Sequence, residues 1–338
     1  MTLGERLVAT WYAPKKTALA WTLWPLSQIF RALVALRRAA YRIGLLRAQT
    51  LRIPVVVVGN LTVGGAGKTP LAIALAQVLA ERGCRAGIVS RGYGGTHVAP
   101  RAVATGDDPR IVGDEALLYA NAGLPIWIGR DRAAAAKALV AANPHTDVVI
   151  ADDGLQHYRL ARALEIVVID AAREFGNGLL LPAGPLREPP ARLNEADAIV
   201  RVVPRDDAHP ARTGHATRMW LETLPWRSVA QPDRMPAFDE WSSGGVHAVA
   251  GIAHPERFFA SVRKLGIDAQ CHPFADHHFF VREDLDFAGA RAILMTEKDA
   301  VKCAAFADDR FWYLPVRARL DPALVEFVLG KIHGYQVA

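Results

Sequence analysis

Between residues 53 and 204, short apolar runs alternate with longer stretches whose apolar positions recur at helical spacing. The runs are rich in valine and isoleucine, as in strands buried on both faces of a parallel sheet. They cover residues 53–58, 86–89, 148–151, 166–169 and 198–203. Helical periodicity covers residues 68–82, 113–122 and 131–142. This alternation predicts a doubly wound parallel α/β sheet.

A second, smaller α/β domain is predicted after a polar segment at residues 206–210. Its expected strands are 216–221, 227–230, 246–251, 292–296 and 311–316, and its expected helices are 255–265 and 323–332. The first two strands are expected to pair with each other. We therefore divide the chain into an N-terminal helix (1–52), a first α/β domain (53–204) and a smaller domain (205–338) that closes over a cleft.

The first 52 residues carry a net charge of +8, whereas the other 286 carry −2. Within those 52 residues, the longest uncharged stretch has 14 residues (17–30), fewer than the ~20 that a spanning helix needs. From Leu26 onward, apolar residues recur at roughly helical spacing among arginines. We interpret this segment as a basic amphipathic helix on an anionic membrane surface, with Trp11, Tyr12, Trp21 and Trp24 at the interface. The alternative is a helix that docks on the protein's own core.

Composition excludes several other classes of protein. A hydrophobic fraction of 51% and a charged fraction of 22% indicate a globular chain. The three cysteines (Cys84, Cys271 and Cys303) form no paired motif, which argues against a disulfide scaffold or a cysteine zinc site. Because the excess cations are confined to the N-terminus, we expect no nucleic-acid partner. Oligomeric state has no signal in the sequence.

A glycine-rich loop follows the first predicted strand and precedes the first predicted helix of the sheet. Strand, glycine loop, Gly-Lys-Thr and helix together form the context of a P-loop, in which backbone N–H groups and the helix N-terminus bind phosphate. The nucleotide-binding candidates are Thr62, Val63, Gly64, Gly65, Ala66, Gly67, Lys68 and Thr69. Lys68 is expected at the β- and γ-phosphates, and the Thr69 hydroxyl at Mg²⁺. Thr62 stands where the general pattern has glycine.

Two adjacent carboxylates, Asp152 and Asp153, end the strand at 148–151. They match a Walker B position beside Mg²⁺. Successive strand residues point to opposite faces, so we expect only one of them to face the metal directly. Gln156 and His157 follow and are candidates for the same cleft.

Four further segments carry weaker signals. The loop after the second strand offers Ser90, Arg91 and Tyr93 as cleft residues, because ligands bind outside the carboxyl ends of parallel strands. Asp114 and Glu115 suit a helix N-terminus as well as catalysis. The histidine pair at 277–278 is, by itself, better explained as a surface pair. Thr296-Glu297-Lys298-Asp299 superficially matches a guanine-selecting motif, but its lysine is one position late, so we predict no GTP specificity from it.

Taken in order, these motifs resemble the tetraacyldisaccharide 4′-kinase family, which phosphorylates a lipid A precursor. The resemblance rests on GNLTVGGAGKTP (59–70), SRGYGG (90–95), VGDEALL (112–118), ADDGLQH (151–157), LLPAGPLRE (180–188), AGIAHPERFF (250–259), FADHHFF (274–280) and TEKDAVK (296–302). Thr62 agrees with the family's own loop, whereas His254 stands where asparagine is expected.

The resemblance implies phosphoryl transfer from ATP to the 4′-hydroxyl of an acylated glucosamine disaccharide 1-phosphate. It also implies a catalytic pair, Asp114 and His277, acting with Lys68. Arg187 and Glu188 are weaker cleft candidates. The basic N-terminal helix agrees with the family's membrane attachment, which implies a peripheral or monotopic protein on the cytoplasmic face of the bacterial inner membrane.

Two other functions remain open on the residues alone. One is a non-kinase P-loop ATPase that acts as a membrane-bound switch. It is disfavoured because Val63 replaces the signature lysine of such loops and because no cysteine or histidine metal tract is present. The other is a nucleotide-binding adaptor without turnover, which the acidic residues Asp114, Asp152 and Asp153 disfavour.

Overall fold

The computed structural model describes residues 3–205, 216–236, 241 and 244–335. Residues 206–210, predicted to be a polar connecting segment, lie outside the described residues. The described strands are β1 (Val55–Gly59), β2 (Ala86–Ser90), β3 (Arg101–Ala102), β4 (Ile126–Ile128), β5 (Val148–Asp152), β6 (Leu164–Asp170), β7 (Ala198–Val202), β8 (Ala216–Thr223), β9 (Arg227–Ser228), β10 (Val246–Ala250), β11 (Gln270–Pro273), β12 (Ala292–Thr296), β13 (Phe311–Leu314) and β14 (Val316–Leu320).

The helices surround these strands. They are α1 (Leu3–Trp11), α2 (Ala18–Arg42), α3 (Lys68–Glu81), α4 (Pro109–Val112), α5 (Asp114–Asn121), α6 (Arg132–Ala142), α7 (Pro255–Lys264), α8 (Glu297–Cys303) and α9 (Pro322–His333). Short 3₁₀ turns lie at Pro190–Glu195 and Arg282–Leu285. Predicted helices 68–82, 113–122 and 131–142 are therefore present within one residue at each end.

The larger sheet has the order β14-β8-β7-β6-β1-β5-β2-β4-β3. Its interior pairs are parallel, whereas the edge strands β3 and β14 are antiparallel to their neighbours. Helices α3, α5 and α9 pack on one face, and α6 packs with part of α2 on the other. The predicted doubly wound α/β architecture is confirmed.

The smaller sheet has the order β11-β10-β12-β13-β9, with only β9 antiparallel among its described strands. Helix α7 contributes its apolar side to one core layer. Residues of α8 and Phe280 contribute to the layer on the opposite face. Two sheets, each with cores on both faces, match the predicted pair of α/β units.

The predicted pairing of strands 216–221 and 227–230 is wrong. Strand β8 lies between β7 and β14 in the larger sheet, whereas β9 pairs with β13 in the smaller one. The predicted strand 311–316 is also divided, because Pro315 separates β13 from β14. Proline has no N–H to donate to a ladder, and the chain changes sheets at that point. Helix α9, which follows β14, therefore packs on the larger sheet. The predicted domain boundary between residues 204 and 205 stays a prediction.

The N-terminal segment forms two helices, with the longer one starting at Ala18 rather than near Leu26. Two of the four aromatic residues assigned to a membrane interface contact the protein body instead. Trp11 is buried, and its indole N–H donates to the carbonyl of Pro182 over 2.8 Å. The guanidinium of Arg173 lies over the Tyr12 ring. Burial of these rings fixes the short helix to the body, so their interfacial assignment is corrected.

Helix α2 has one face on the body and one apolar face in solvent. Ser27 is buried and donates to the carbonyl of Leu180 over 2.7 Å, and Arg38 reaches Glu195 over 2.5 Å. The solvent face carries large apolar side chains that are 52–69% exposed: Trp21, Leu26, Ile29, Leu33 and Leu36. The helix has 25 residues and contains an 18-residue window with a mean hydropathy of 1.3, so by length and composition alone it could also cross a membrane.

Candidate active site

The P-loop joins β1 to α3 along the centre of the larger sheet. Gly67 caps the helix in a left-handed conformation (φ 88°), which glycine adopts without a steric penalty. A Cβ there would also come within 3.2 Å of Val202 and Met219. The Lys68 ammonium follows and donates to Oδ1 of Asn60 over 3.0 Å. The loop therefore holds a lysine at the position where a P-loop contacts phosphate.

The segment at residues 185–188 runs alongside the P-loop and fixes it. The Val63 N–H donates to the carbonyl of Pro185 over 2.8 Å, and the Arg187 N–H donates to that of Leu61 over 2.6 Å. The Arg187 side chain donates to both carboxylate oxygens of Asp153, each over 2.8 Å. This segment thus connects the backbone of the loop to the acidic end of β5.

Asp153 lies between two cations. Its Oδ1 is 3.4 Å from the Lys68 ammonium and 2.8 Å from Arg187. Burial alone would raise the pKa of Asp153, but Lys68 and Arg187 hold it well below its ordinary value. Its carboxylate is therefore ionised and already compensated by protein charges.

Asp152 differs in having no such partner. It is fully buried, and neither carboxylate oxygen has a hydrogen-bond partner among the described residues. Burial, together with the charge of Glu115, raises the pKa of Asp152 to about 7. Buried carboxylates are stable when they are paired or coordinate a metal, and hard oxygen ligands are those that Mg²⁺ prefers. The chemistry of this residue fits a divalent cation beside the P-loop.

Across the cleft, Asp114 meets His277 from the smaller sheet's side of the molecule. Both Asp114 carboxylate oxygens lie 3.0 Å from Nδ1 of His277. Asp114 begins α5 after Gly113, whose φ of 87° allows the sharp entry of the chain. His277 has a left-handed backbone conformation (φ 60°). Its backbone N–H donates to the carbonyl of Gly251 over 3.2 Å.

Asp114 is buried, with only 4% of its surface exposed. Burial by itself raises the pKa of a carboxyl, but the hydrogen bond from His277 and the charges of Lys298 and Lys302 outweigh it. The pKa of Asp114 therefore lies below its ordinary value. Asp114 is therefore a buried, ionised carboxylate with lone pairs that can accept a hydrogen bond from a hydroxyl.

One chain of charges connects the two sides of the cleft. Glu115 acts on Asp152 through its charge and accepts a hydrogen bond from Lys298 over 3.2 Å. Lys298 in turn lies 3.2 Å from Nε2 of His277. The P-loop lysine, the unpartnered Asp152 and the Asp114–His277 pair therefore belong to one continuous site.

Comparison with known proteins finds relatives over most of the chain. The family model for tetraacyldisaccharide-1-P 4′-kinase (LpxK) matches residues 19–333. A tetraacyldisaccharide 4′-kinase from Alkalilimnicola ehrlichii is 48% identical over 341 residues, covering 98% of each chain. A protein of the same name from Methylobacillus flagellatus is 47% identical over 309 residues, covering 91% of this chain and 90% of its own.

The chain belongs to the tetraacyldisaccharide-1-phosphate 4′-kinase family. The resemblance predicted from eight sequence motifs is confirmed. A crystal structure of LpxK from Aquifex aeolicus, described as an "apo" form in complex with ATP, matches with a TM-score of 0.78 and 27% identity. The match covers 93% of this chain and 99% of that one. The non-kinase alternative has no support from these relatives.

The remaining residues predicted for this kinase's cleft lie in two groups. Near the Asp114–His277 pair (the dyad), the Tyr93 ring centre is 4.8 Å from that of His277. Of the other two predicted residues of that loop, Ser90 is buried and Arg91 is exposed. Near the P-loop, Gln156 donates to the Asn60 carbonyl and to Glu188.

Glu188 and His157 face the protein interior more than open solvent. Glu188 is fully buried and accepts from Gln156 and from the hydroxyl of Tyr158. Its carboxylate is occupied by these partners, so we interpret it as support for Gln156. Burial lowers the pKa of His157 to about 4, and its Nε2 has no partner among the described residues.

Sequence reasoning missed three cations of this kinase site. Arg132 is buried and donates to the Asp153 carbonyl over 2.9 Å. Lys298 and Lys302, both on α8, lie 3.9 and 4.0 Å from Asp114. A signal for Lys298 was present, because a lysine in the first turn of a helix opposes the helix dipole and needs an acidic partner to be stable there.

Proposed function

We propose that this kinase transfers the γ-phosphate of ATP to the 4′-hydroxyl of an acylated disaccharide 1-phosphate in the cleft between the two sheets. One observation carries the assignment of residues: the buried Asp114–His277 pair shares a charge network with the P-loop. Phosphoryl transfer depends on positioning and charge compensation, and the two sides of the network provide these separately.

On the acceptor side, Asp114 is the proposed base. It takes the proton of the 4′-hydroxyl while that oxygen forms a bond to the γ-phosphorus and the bond from phosphorus to the ADP oxygen breaks. His277 orients the carboxylate through Nδ1. Since the pKa of Asp114 lies below its ordinary value, the residue is ionised at neutral pH, and we attribute its proposed action to its position rather than to high basicity.

On the nucleotide side, Lys68 is proposed to neutralise the transferring phosphate, and the loop residues 62–69 provide backbone donors. Thr69 and Asp152 are the proposed ligands of Mg²⁺, which would supply positive charge at the phosphates. We assign Asp153 a different duty from that predicted, since Lys68 and Arg187 already neutralise it. In this proposal the Asp153 carboxylate holds the Lys68 ammonium in place.

The N-terminal helix is proposed to bring this site to the surface of an anionic membrane. One side of the helix contacts the protein body through hydrogen bonds of Ser27 and Arg38. These contacts favour a helix that lies along the protein over one that crosses the bilayer. Its opposite side is apolar, and exposed Arg31 and Arg37 stand beside that face. Apolar burial combined with attraction to anionic lipid is typical of interfacial helices. We place the protein on the cytoplasmic face of the inner membrane as a monotopic or peripheral enzyme.

Two experiments test these assignments. Purified kinase, ATP and acylated glucosamine disaccharide 1-phosphate should yield a product with one additional phosphate, and phosphorus–proton correlation should place it at the 4′ position. An Asp114→Asn variant with wild-type turnover would contradict the proposed base.

The membrane assignment is tested by co-sedimentation with phosphatidylglycerol vesicles. A protein lacking residues 1–48, and a Leu33→Gln/Leu36→Gln variant, should lose binding. The matched control is Leu265→Gln, which removes an exposed leucine (48%) far from the helix. Equal binding by all proteins would mean that the helix serves the protein core.

A further inference from the structure

Lys298 occupies the centre of the acceptor side, among groups that the mechanism uses. Its ammonium is 3.2 Å from Nε2 of His277, 3.2 Å from Glu115 and 3.6 Å from Asp276. It is 3.9 Å from Asp114, and its side chain is only 17% exposed. No step proposed above assigns it a role.

The contact with His277 allows only one direction of hydrogen bonding. An ammonium group has three protons and no lone pair, so it must donate and Nε2 must accept. Burial alone would lower the pKa of Lys298, but the charges of Glu115, Asp114 and Asp276 raise it above its ordinary value. Lys298 is therefore a cation, and a hydrogen bond between the two groups requires an unprotonated Nε2; the Asp276 carboxylate lies farther from Nε2, at 3.8 Å.

We propose that Lys298 is a positioning residue that holds His277 as a neutral imidazole, with its one ring proton on Nδ1 and directed at Asp114. This inference rests on the roles proposed for Asp114 and His277 in the transfer. Donation from Lys298 at one nitrogen and acceptance by Asp114 at the other determine the tautomer completely.

The neutral form matters because of the charges around the ring. The charged and titratable groups that face His277 are Asp114 and Glu115 from α5, Asp276 from its own loop, Lys298 and Lys302 from α8, and Tyr93. Without Lys298, three carboxylates would favour a second proton on the imidazole. The resulting imidazolium would form a charge-assisted hydrogen bond with Asp114. Its Nδ1 lies 3.0 Å from the Asp114 carboxylate, whereas the Lys298 ammonium lies 3.9 Å from it. Asp114 would then be a weaker base towards the hydroxyl.

The first test is a nitrogen NMR spectrum of the full-length protein labelled with ¹⁵N-histidine, with His277 assigned through a His277→Gln variant. Wild type at neutral pH should have a protonated Nδ1 and an unprotonated Nε2. A protonated Nε2 in the wild-type spectrum would overturn the proposal, and this measurement needs no lysine variant to fold.

The second test compares Lys298→Met, Lys298→Arg and the exposed control Lys264→Met. In Lys298→Met, both nitrogens of His277 should be protonated at neutral pH, and kcat should fall roughly tenfold, less than the roughly 10²–10⁴ that a positioned base contributes. KM for ATP should not change. Activity of this variant should rise with pH as the extra proton leaves, whereas Lys298→Arg should recover most of kcat and Lys264→Met should match wild type.

These outcomes separate this inference from the proposed function. A Lys298→Met protein with wild-type turnover and an unchanged His277 spectrum would overturn the role of Lys298, even if Asp114→Asn is inactive. Wild-type turnover by Asp114→Asn would instead overturn the proposed base, whatever the spectrum of His277.

Discussion

The nucleotide side and the acceptor side of this cleft use similar numbers of charged groups but assemble them differently. Lys68 and Asn60 lie eight residues apart, on one loop held by its own strand and helix. Asp114 and His277 lie 163 residues apart and meet only where the smaller sheet reaches the larger one. The first arrangement needs only local backbone geometry, whereas the second needs both sheets in place.

This difference predicts how substitutions on each side affect activity. A substitution in the loop removes a phosphate contact and leaves the relation of the two sheets unchanged. Asp114 and His277 lie on separate elements and act as a pair, so the loss of activity caused by substituting one should depend on whether the other is present. The predictions below test that contrast.

The largest effect is expected for Lys68→Ala. Loss of the lysine removes the ammonium proposed to lie at the transferring phosphate, so kcat should fall by about 10³, comparable with removal of a main electrostatic contact. The free energy of unfolding, measured by urea denaturation, should fall because Asp153 loses one of its two cations, but the protein should stay folded because Arg187 still neutralises that carboxylate. Wild-type turnover by the folded variant would contradict the P-loop assignment.

The next effect concerns Asp114→Ala, His277→Ala and the double variant. Each single loss should lower kcat/KM by roughly 10²–10³, and the double variant should be little worse than the poorer single one, because residues acting as a unit are not additive. ATP affinity, measured by calorimetry, should hardly change. Fully additive losses would mean that the two residues act independently.

A smaller effect is expected for Asp152→Asn compared with Asp153→Asn. If Asp152 binds the metal, its variant should need roughly tenfold more Mg²⁺ for half-maximal activity, since one charged ligand is lost. Asp153→Asn should lower the maximum without the same shift, because its partners are Lys68 and Arg187. Identical Mg²⁺ titration curves for both variants would remove the distinction between the two carboxylates.

The smallest effect is expected for Arg257→Met. Arg257 extends from the smaller sheet's helix α7 to Asp170 at the end of β6, over 2.6 Å. The Arg257 side chain is 47% exposed and that of Asp170 is 8% exposed. Solvent screens the arginine, and in the variant the Ala172 N–H still donates to the Asp170 carboxylate. Thermal unfolding should therefore change little, and kcat should stay within about twofold of wild type. A large loss of activity would mean that this ion pair, and not the dyad itself, sets the relation between the sheets.

Much of the fold was predictable because its signals are local. The apolar runs of β1 and β5, the helical period of α3 and the glycine loop between strand and helix each follow from steric and hydrophobic rules that act within a few residues. The predictions that failed are those that depend on distant partners. The pairing of β8 and the division of β13 from β14 at Pro315 are decided by which sheet has an open edge.

The site divides in the same way. The sequence by itself determined the P-loop with Lys68 and Thr69, the acidic end of β5, and the motifs that place the chain in its kinase family. Only the tertiary structure decided that Asp152 has no hydrogen-bond partner among the described residues while Asp153 is neutralised. It also decided that Trp11 is buried and that Lys298 faces His277. The physical reason is that a charge acts through space within a few ångströms. The chain separation between interacting groups carries no information about that distance until both sheets have folded.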